Sequence, residues 1–193
     1  MKRDTYLPTT LLLVLSFIWI SGCCQPSDSL DDVKQFKADD KYFKSALVSL
    51  HFLIETLPTV QSDSIFLQLI NSYQLPIDAK GAADGLYTGE SPYDAFDYKH
   101  VVELTIADGK ITAIDYNEVN KEGSGKQEDE QYNIDMSVTG GKPAYSYPKM
   151  EQQLLKVQNM LDVDAVSGAT YSRSRFRYAV MVALMKAYLK EQA

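Results

Sequence analysis

The spacing of apolar residues along the chain changes at about residue 84. Before that point they recur at helical spacing, which predicts two helices within residues 32–78. Pro58 ends the first helix, Asp63 or Ser64 is a candidate N-cap of the second, and the second ends near Pro76. Neither helix carries recognisable chemistry, so we interpret this region as a spacer or a docking surface. The apolar stripes are Phe43, Ala46, Leu47, Leu50, Ile54 and Leu57 in the first helix, and Phe66, Leu69, Ile70 and Tyr73 in the second.

After residue 84, apolar and polar residues alternate with the period of β-strands. Residues 86–90, 99–106 and 110–116 are each expected to form a strand. Asp108-Gly109 predicts a two-residue hairpin turn, because a type I′ turn needs positive φ at both positions. Pairing across this turn predicts Ile106 opposite Ile111, Thr105 opposite Thr112, and Leu104 opposite Ala113.

Helical spacing returns after the polar loop at residues 120–130. A short helix is expected at residues 132–136, and Pro148 suits the first turn of the next helix. Residues 162–166 suggest a short strand or extended segment, and the last helix begins after Thr170. These elements predict an α+β fold, a twisted antiparallel sheet with packed helices, preceded by a helical N-terminal region. The stripes of the two longer helices are Met150, Leu154, Val157 and Leu161, then Phe176, Ala179, Val180, Ala183, Leu184 and Ala187.

The N-terminus has the pattern of an export signal. Lys2 and Arg3 precede an apolar segment at residues 11–20, which is shorter than the roughly 20 residues that span a bilayer. The sequence Ile20-Ser21-Gly22-Cys23 that follows resembles a lipobox. This resemblance implies a signal peptide at residues 1–22, cleavage before Cys23, a lipid such as palmitate on its sulfur, and a tether at residues 23–31. An ordinary secretory signal with a chance cysteine is the alternative.

Charge and cysteine content exclude several classes of function. The formal net charge is −7, which argues against nucleic acid as a partner and against adsorption to anionic lipid, so membrane attachment would have to be covalent. Cys24 is the only other cysteine, which leaves no disulfide framework, thiol redox motif or cysteine zinc site. No calcium-loop spacing is present, so no metal is expected. We interpret the acidic residues of the loop as a solvated charge run: Glu122, Glu128, Asp129 and Glu130.

Residues 164–170, Asp-Ala-Val-Ser-Gly-Ala-Thr, place a hydroxyl at the start of a helix. Small residues there suit a phosphate, because backbone N–H groups and the helix dipole favour an anion. Taken alone, Ser167 or Thr170 could equally be a helix N-cap. The other candidates near a ligand have structural alternatives. They are Arg173, Arg175 and Arg177 (phosphate pairing or a solvated helix face), Tyr87 and Tyr171 (ring stacking or packing), and His100, which we expect to be structural.

Residues 84–190 resemble the FMN-binding domain family, which includes periplasmic flavin subunits of electron-transport complexes and flavinylated lipoproteins. The resemblance to single-domain lipoproteins is stronger than that to pump subunits. It is carried by the opening Asp84-Gly85-Leu86-Tyr87-Thr88-Gly89, the hairpin Asp108-Gly109-Lys110-Ile111, the pair Tyr147-Pro148 with Glu151, and the motif Asp164-x-x-Ser167-Gly168-Ala169-Thr170.

This resemblance implies that a separate flavin transferase, with FAD as donor, links FMN to Thr170 through a phosphoester. Asp164 would be a recognition residue, Ser167 would bond backbone or phosphate, and Gly168 and Ala169 would keep the approach open. The implied role is electron transfer outside the cytoplasmic membrane, at the cell surface or in the periplasm, without catalytic residues for a substrate of its own. Two alternatives remain: a surface binding lipoprotein that keeps the fold without redox activity, and a non-covalent FMN-dependent reductase.

Overall fold

The computed structural model describes Ser45, Val48, residues 59–138 and residues 140–190, with the backbone alone at residues 59–63. The predicted signal peptide, the lipid site Cys23, the tether and the first N-terminal stripe from Phe43 to Leu57 lie outside the described residues. All described residues belong to one compact unit.

The sheet is antiparallel, with strands β1 (Gly85–Glu90), β2 (Tyr98–Ala107) and β3 (Lys110–Asn120) in the order β1-β2-β3. The predicted hairpin turn is present, since Asp108 has φ 52° and Gly109 has φ 68°. The Asp84 carboxylate accepts the Asp108 N–H at 2.9 Å, which ties the start of β1 to this turn. The predicted α+β class is therefore confirmed.

The predicted pairing of β2 with β3 is right at Ile106 and wrong beyond it. Ile106 pairs with Ile111, but a β-bulge then sets Thr105 opposite Ala113 and leaves Thr112 as the extra residue. Without this extra residue, Ile111 and Tyr116 would point to opposite faces of the sheet, because side chains alternate along a strand. The bulge puts both of them on the buried face.

The structure describes four α-helices: α1 (Thr59–Tyr73), α2 (Glu130–Ser137), α3 (Pro143–Val157) and α4 (Thr170–Leu189). The predicted N-cap of α1 is wrong, since Asp63 and Ser64 lie inside the helix. The predicted start of α3 is also wrong. Pro143 takes the first helical position, where its missing N–H has no intrahelical partner to lose, and Pro148 lies inside the helix.

The core lies between the sheet and helix α4. α4 packs across β1 and β2, α3 packs on β3, and Phe66 and Ile70 of α1 join the same core. Val157 was expected in the buried stripe of α3 but is 37% exposed, because the helix ends there. Residues 162–166 were expected to be a short strand or an extended segment. Asp162 instead ends a 3₁₀ turn (Met160–Asp162), and the backbone is extended at Val163, which agrees with the second alternative. Among the helices of the described ranges, none has both the length and the apolar character needed to cross a membrane.

Candidate functional site

The segment before α4 has a buried side and an exposed side. Val163, Val166 and Ala169 are at most 3% exposed and anchor the segment in the core. The residues between them face solvent, so the polar part of the motif is accessible along one edge. The exposed residues are Asp164, Ala165, Ser167, Gly168 and Thr170, whereas Ala169, which we expected beside the approach path, packs inward.

Thr170 is the first residue of α4 and follows a tight turn. The turn spans residues 166–169, and the Ala169 N–H donates to the Val166 carbonyl at 2.9 Å. Gly168, the third residue of this turn, has φ 75°, the positive value that a type II turn requires there. Ala169 is the N-cap and makes no side-chain cap hydrogen bond, so the interpretation of Ser167 or Thr170 as the N-cap is wrong. Helix N–H groups without a side-chain acceptor suit an anion beside Thr170.

A second glycine turn packs directly on this one. Gly140 has φ 76°, and a Cβ placed on it would lie 3.8 Å from the Ser167 hydroxyl. A Cβ on Gly141 would lie 2.4 Å from the Gly168 carbonyl oxygen, which leaves no room for a side chain. The backbone of residues 140–141 therefore packs directly against the turn that precedes Thr170.

Two of the three arginines of α4 do not lie on a solvated face. Arg175 and Arg177 are 7% and 9% exposed, so that expectation is wrong for both. Arg177 Nη2 donates to the Leu161 and Val163 carbonyls at 2.7 and 2.9 Å, which ties the 3₁₀ turn to α4 and makes this guanidinium a structural group. The Arg175 guanidinium lies 4.6 Å from the centre of the Tyr171 ring. Of the three, Arg173 is partly exposed and lies nearest Thr170 in sequence.

The two tyrosines considered for ring stacking differ in accessibility. Tyr87 is fully buried in the core, so its ring presents no face to a ligand. Tyr171 is 42% exposed, and its hydroxyl lies 3.4 Å from Asp94 Oδ2. Burial raises the pKa of Tyr171 to about 12, so it is neutral at physiological pH. Tyr171 is therefore the one of the pair that can border a ligand at Thr170.

A buried carboxylate beneath the start of α4 was missed by the sequence analysis. Glu118 is 2% exposed, and its Oε2 atom accepts the Lys126 ammonium at 2.5 Å. Its Oε1 atom accepts the Tyr147 hydroxyl and, at 2.7 Å, the Ser172 hydroxyl. Burial favours the neutral acid, but the charges that His100 and Lys126 can carry, with the hydrogen bonds, lower the pKa of Glu118 to about 2. The sequence does contain one indication of this site, because Glu118 lies two residues after Tyr116 and so shares the core-facing side of β3.

His100 lies beside this carboxylate and is structural, as expected. Its side chain is fully buried, and Nδ1 lies 2.7 Å from the Tyr116 hydroxyl and 3.8 Å from Glu118 Oε1. Burial lowers the pKa of His100 to about 4, which keeps the ring neutral at physiological pH.

The acidic loop residues have local bonding roles. Asp129 caps α2 by accepting the Tyr132 N–H at 2.9 Å, and Glu128 accepts the Asn117 amide at 2.8 Å. Both border an open groove of about 580 Å³. Within the described part of the chain, no group of three metal-ligating side chains gathers at one point.

Taken together, the geometry defines an α+β domain with an exposed threonine at an anion-compatible helix start. The profile of the FMN-binding domain family matches residues 97–185. The chain is 33% identical over 94 residues to the 15 kDa lipoprotein of Treponema pallidum (strain Nichols), a match that covers 47% of this chain and 67% of that protein. The crystal structure of the CPE2226 protein from Clostridium perfringens is 35% identical, with a TM-score of 0.55, and covers 58% of this chain and 93% of its own.

The chain belongs to the FMN-binding domain family, and FMN is its cofactor. The residues present fit this group. The start of α4 has no capping side chain to occupy the place of a phosphate. Gly168 has no side chain to cover Thr170, and both residues are exposed to solvent.

Proposed function

We propose that this protein is a lipid-anchored flavoprotein that carries FMN covalently on Thr170 and transfers electrons outside the cytoplasmic membrane. The observation that carries this proposal is the exposed residue Thr170 at the start of α4, where no side chain caps the helix. The sequence resembling a lipobox that ends at Cys23 supports the anchor, as does the similarity to the 15 kDa lipoprotein of Treponema pallidum.

Attachment would be a phosphoryl transfer by a separate flavin transferase. The Thr170 oxygen forms a bond to the FMN phosphorus of FAD, the bond from that phosphorus to the AMP moiety breaks, and AMP leaves with the electron pair. The hydroxyl proton passes to a base of the transferase, because a threonine hydroxyl is a weak nucleophile without one. This chain supplies the acceptor oxygen and an exposed recognition edge that includes Asp164 and Ser167.

When bound, FMN supplies one- and two-electron redox chemistry. The chain's own contribution is to hold and orient it. The helix dipole of α4 favours the phosphate charge beside Thr170, and the exposed Tyr171 is the next residue of the same helix. A covalent bond also prevents loss of the cofactor outside the cell.

Intact-mass measurement after co-expression with an active flavin transferase tests the attachment. The wild-type protein is expected to gain one FMN unit, and Thr170→Ser is expected to retain the gain because it keeps the hydroxyl. Thr170→Ala should show no gain, whereas Thr112→Ala, an exposed threonine at the β3 bulge, should be modified normally. Modification of Thr170→Ala, or an unmodified wild type, would refute the covalent bond.

Absorbance of the purified protein before and after denaturation separates the two alternatives. Flavin that leaves the chain on unfolding would favour the non-covalent reductase. A colourless protein under the same conditions would favour a surface binding lipoprotein without redox activity. Flavin that stays with the unfolded chain is expected from the proposal.

Detergent phase partitioning tests the anchor. The wild-type protein is expected in the detergent phase and Cys23→Ser in the aqueous phase, while the adjacent Cys24→Ser serves as the matched control and should behave like wild type. Partitioning of Cys23→Ser into detergent would contradict lipidation at that sulfur.

Anaerobic mixing of flavin-loaded protein with membrane vesicles from the producing cells tests electron transfer. Bleaching of the flavin absorbance, followed by its return when an oxidised acceptor is added, is expected. Loaded protein that neither bleaches nor recovers would contradict the carrier role while leaving the attachment intact.

A further inference from the structure

A charged side chain occupies a core-facing position of strand β3. Glu118 follows Tyr116 on the buried face, where Ile114 and Tyr116 precede it with the period of a strand. A buried carboxylate is costly unless its charge is balanced and its oxygens are hydrogen-bonded. The contacts of Glu118 therefore indicate why this position is not apolar.

The two oxygens of Glu118 face different parts of the fold. Oε2 is neutralised by Lys126, whose ammonium also lies 4.3 Å from the centre of the Tyr98 ring. Oε1 accepts hydrogen bonds from Tyr147 of α3 and from Ser172 of α4. One oxygen thus balances the charge, and the other joins two helices to the sheet. We call Glu118, Lys126, Tyr147 and Ser172 the carboxylate cluster.

The backbone of Ser172 is held from the same side. The Tyr116 hydroxyl donates to the Ser172 carbonyl at 3.2 Å and lies 2.7 Å from His100 Nδ1. A hydroxyl has one proton, so donation to Ser172 requires His100 to donate from Nδ1. Its Nε2 atom, which has no partner among the described residues, is then the unprotonated nitrogen.

These contacts act on the turn that presents Thr170. Ser172 is the third residue of α4, and both its hydroxyl and its carbonyl are bonded to strand β3. The N-cap Ala169 supplies no side-chain bond, so the usual stabilisation of a first helical turn is missing. The bonds of Ser172 to β3 stabilise the first turn in place of a cap, and they lie on its buried side, so the exposed side of the turn is open.

The charge of Glu118 bears on the role it can have. A pKa of about 2 keeps Glu118 ionised at physiological pH and makes it a poor proton acceptor. It is therefore a constant hydrogen-bond acceptor for Ser172, and its effect on Thr170 is geometric.

We propose that Glu118 is a positioning residue for flavin attachment, which fixes the Thr170 hydroxyl by holding Ser172 in the first turn of α4. This inference rests on the proposed attachment at Thr170. It predicts that the bond between Glu118 and Ser172 controls the rate of modification, because small displacements of a reacting group slow a transfer step strongly.

Transferase kinetics on purified protein with FAD test the inference. Ser172→Ala is expected to lower kcat for flavin attachment by about tenfold or more with a smaller change in KM, since the recognition edge is intact. Ser172→Thr keeps a hydroxyl and should restore most of the rate. Glu118→Gln should also slow attachment, whereas Glu103→Gln, which changes an exposed carboxylate of strand β2, is the control and should not.

Amide hydrogen exchange gives a second readout that needs no flavin. The Arg173 N–H donates to the Ala169 carbonyl at 2.9 Å and closes the first turn of α4. Ser172→Ala should speed exchange at Arg173 relative to the middle of α4, and Ser172→Thr should not. This readout also covers the case in which Glu118→Gln fails to fold.

The outcomes separate this inference from the attachment itself. Normal attachment kinetics in folded Ser172→Ala would overturn the positioning role. Slow attachment in Ser172→Thr would also overturn it if the Arg173 N–H of that variant exchanges as slowly as in the wild type. Protected Arg173 in Ser172→Ala would overturn it as well. If the wild-type protein is not modified at all, the proposed attachment fails, and Arg173 exchange still decides whether Ser172 holds the turn.

Discussion

The backbones of Gly141 and Gly168 are packed so closely that no side chain fits at Gly141. A Cβ on Gly141 would lie 2.4 Å from the Gly168 carbonyl oxygen and 2.8 Å from its carbonyl carbon. The loop that ends α2 is therefore part of the site that presents Thr170.

Gly141→Ala is expected to displace the turn at Gly168 and to reduce flavin attachment. The new methyl group meets backbone atoms, which cannot move aside as a flexible side chain can, at a cost of about 1–3 kcal/mol. Thermal unfolding and intact mass after transferase treatment measure both effects. The neighbouring Lys142→Ala removes an exposed side chain and should change neither, and wild-type behaviour of Gly141→Ala would contradict the packing.

Gly89→Ala is expected to destabilise the whole domain. Its Cβ would lie 1.9 Å from the Ala179 carbonyl oxygen, because strand β1 and helix α4 are in backbone contact there. We expect a loss of about 3 kcal/mol or more in the free energy of unfolding in urea. Gly123→Ala provides the comparison, since its φ of 85° is strained but nothing lies within 4 Å, and should cost about 1 kcal/mol. Equal losses would contradict the clash.

Arg177→Met is expected to destabilise the segment that leads into the motif. The substitution leaves the Leu161 and Val163 carbonyls without their donor, which costs about 2–3 kcal/mol in the free energy of unfolding. Lys156→Met, at an exposed position of α3, is the matched control. Under conditions where Arg177→Met is folded, attachment at Thr170 should persist. Full stability with loss of attachment would instead assign Arg177 to the phosphate.

The buried pair His100 and Glu118 is expected to make the domain acid-sensitive in two steps. The pKa of His100 is lowered from 6.5 to about 4, so the unfolded chain takes up that proton first and stability falls as pH falls through this window, by about 3 kcal/mol. The pKa of Glu118 is lowered from 4.5 to about 2, so its contribution is present above pH 4.5 and is lost as pH falls towards 2. The groups that face His100 are Glu118, Arg175, Lys126, Asp94, Tyr116 and Tyr171.

Urea unfolding of wild type and His100→Gln at several pH values checks this dependence. The variant is expected to be less stable at neutral pH but to lose less stability between pH 6.5 and 4, because it has no imidazole to protonate. Above pH 7 the two proteins should show parallel dependence on pH, which serves as the internal control. Equal slopes between pH 6.5 and 4 would contradict the lowered pKa of His100.

Local patterns predicted most of the elements but missed the start of α3 and the bulge in β3. The alternation along β2 and the Asp108-Gly109 turn were right because both depend on adjacent residues. The start of α3 was missed because Pro143 and Pro148 both suit a first turn, and only the packing of the chain decides between them. The bulge at Thr112 was missed for a similar reason, since its position depends on which face of β3 packs into the core.

By itself, the sequence determined the class of fold, the hairpin turn and the motif that ends at Thr170, because these follow from the spacing and conformational preferences of neighbouring residues. Tertiary structure alone decided which charged residues are buried. Glu118 and Ser172 are 54 positions apart, and the chain brings them to 2.7 Å only when α4 packs on the sheet. A carboxylate can be buried only where distant donors converge on it, and no pattern of neighbouring residues encodes that convergence.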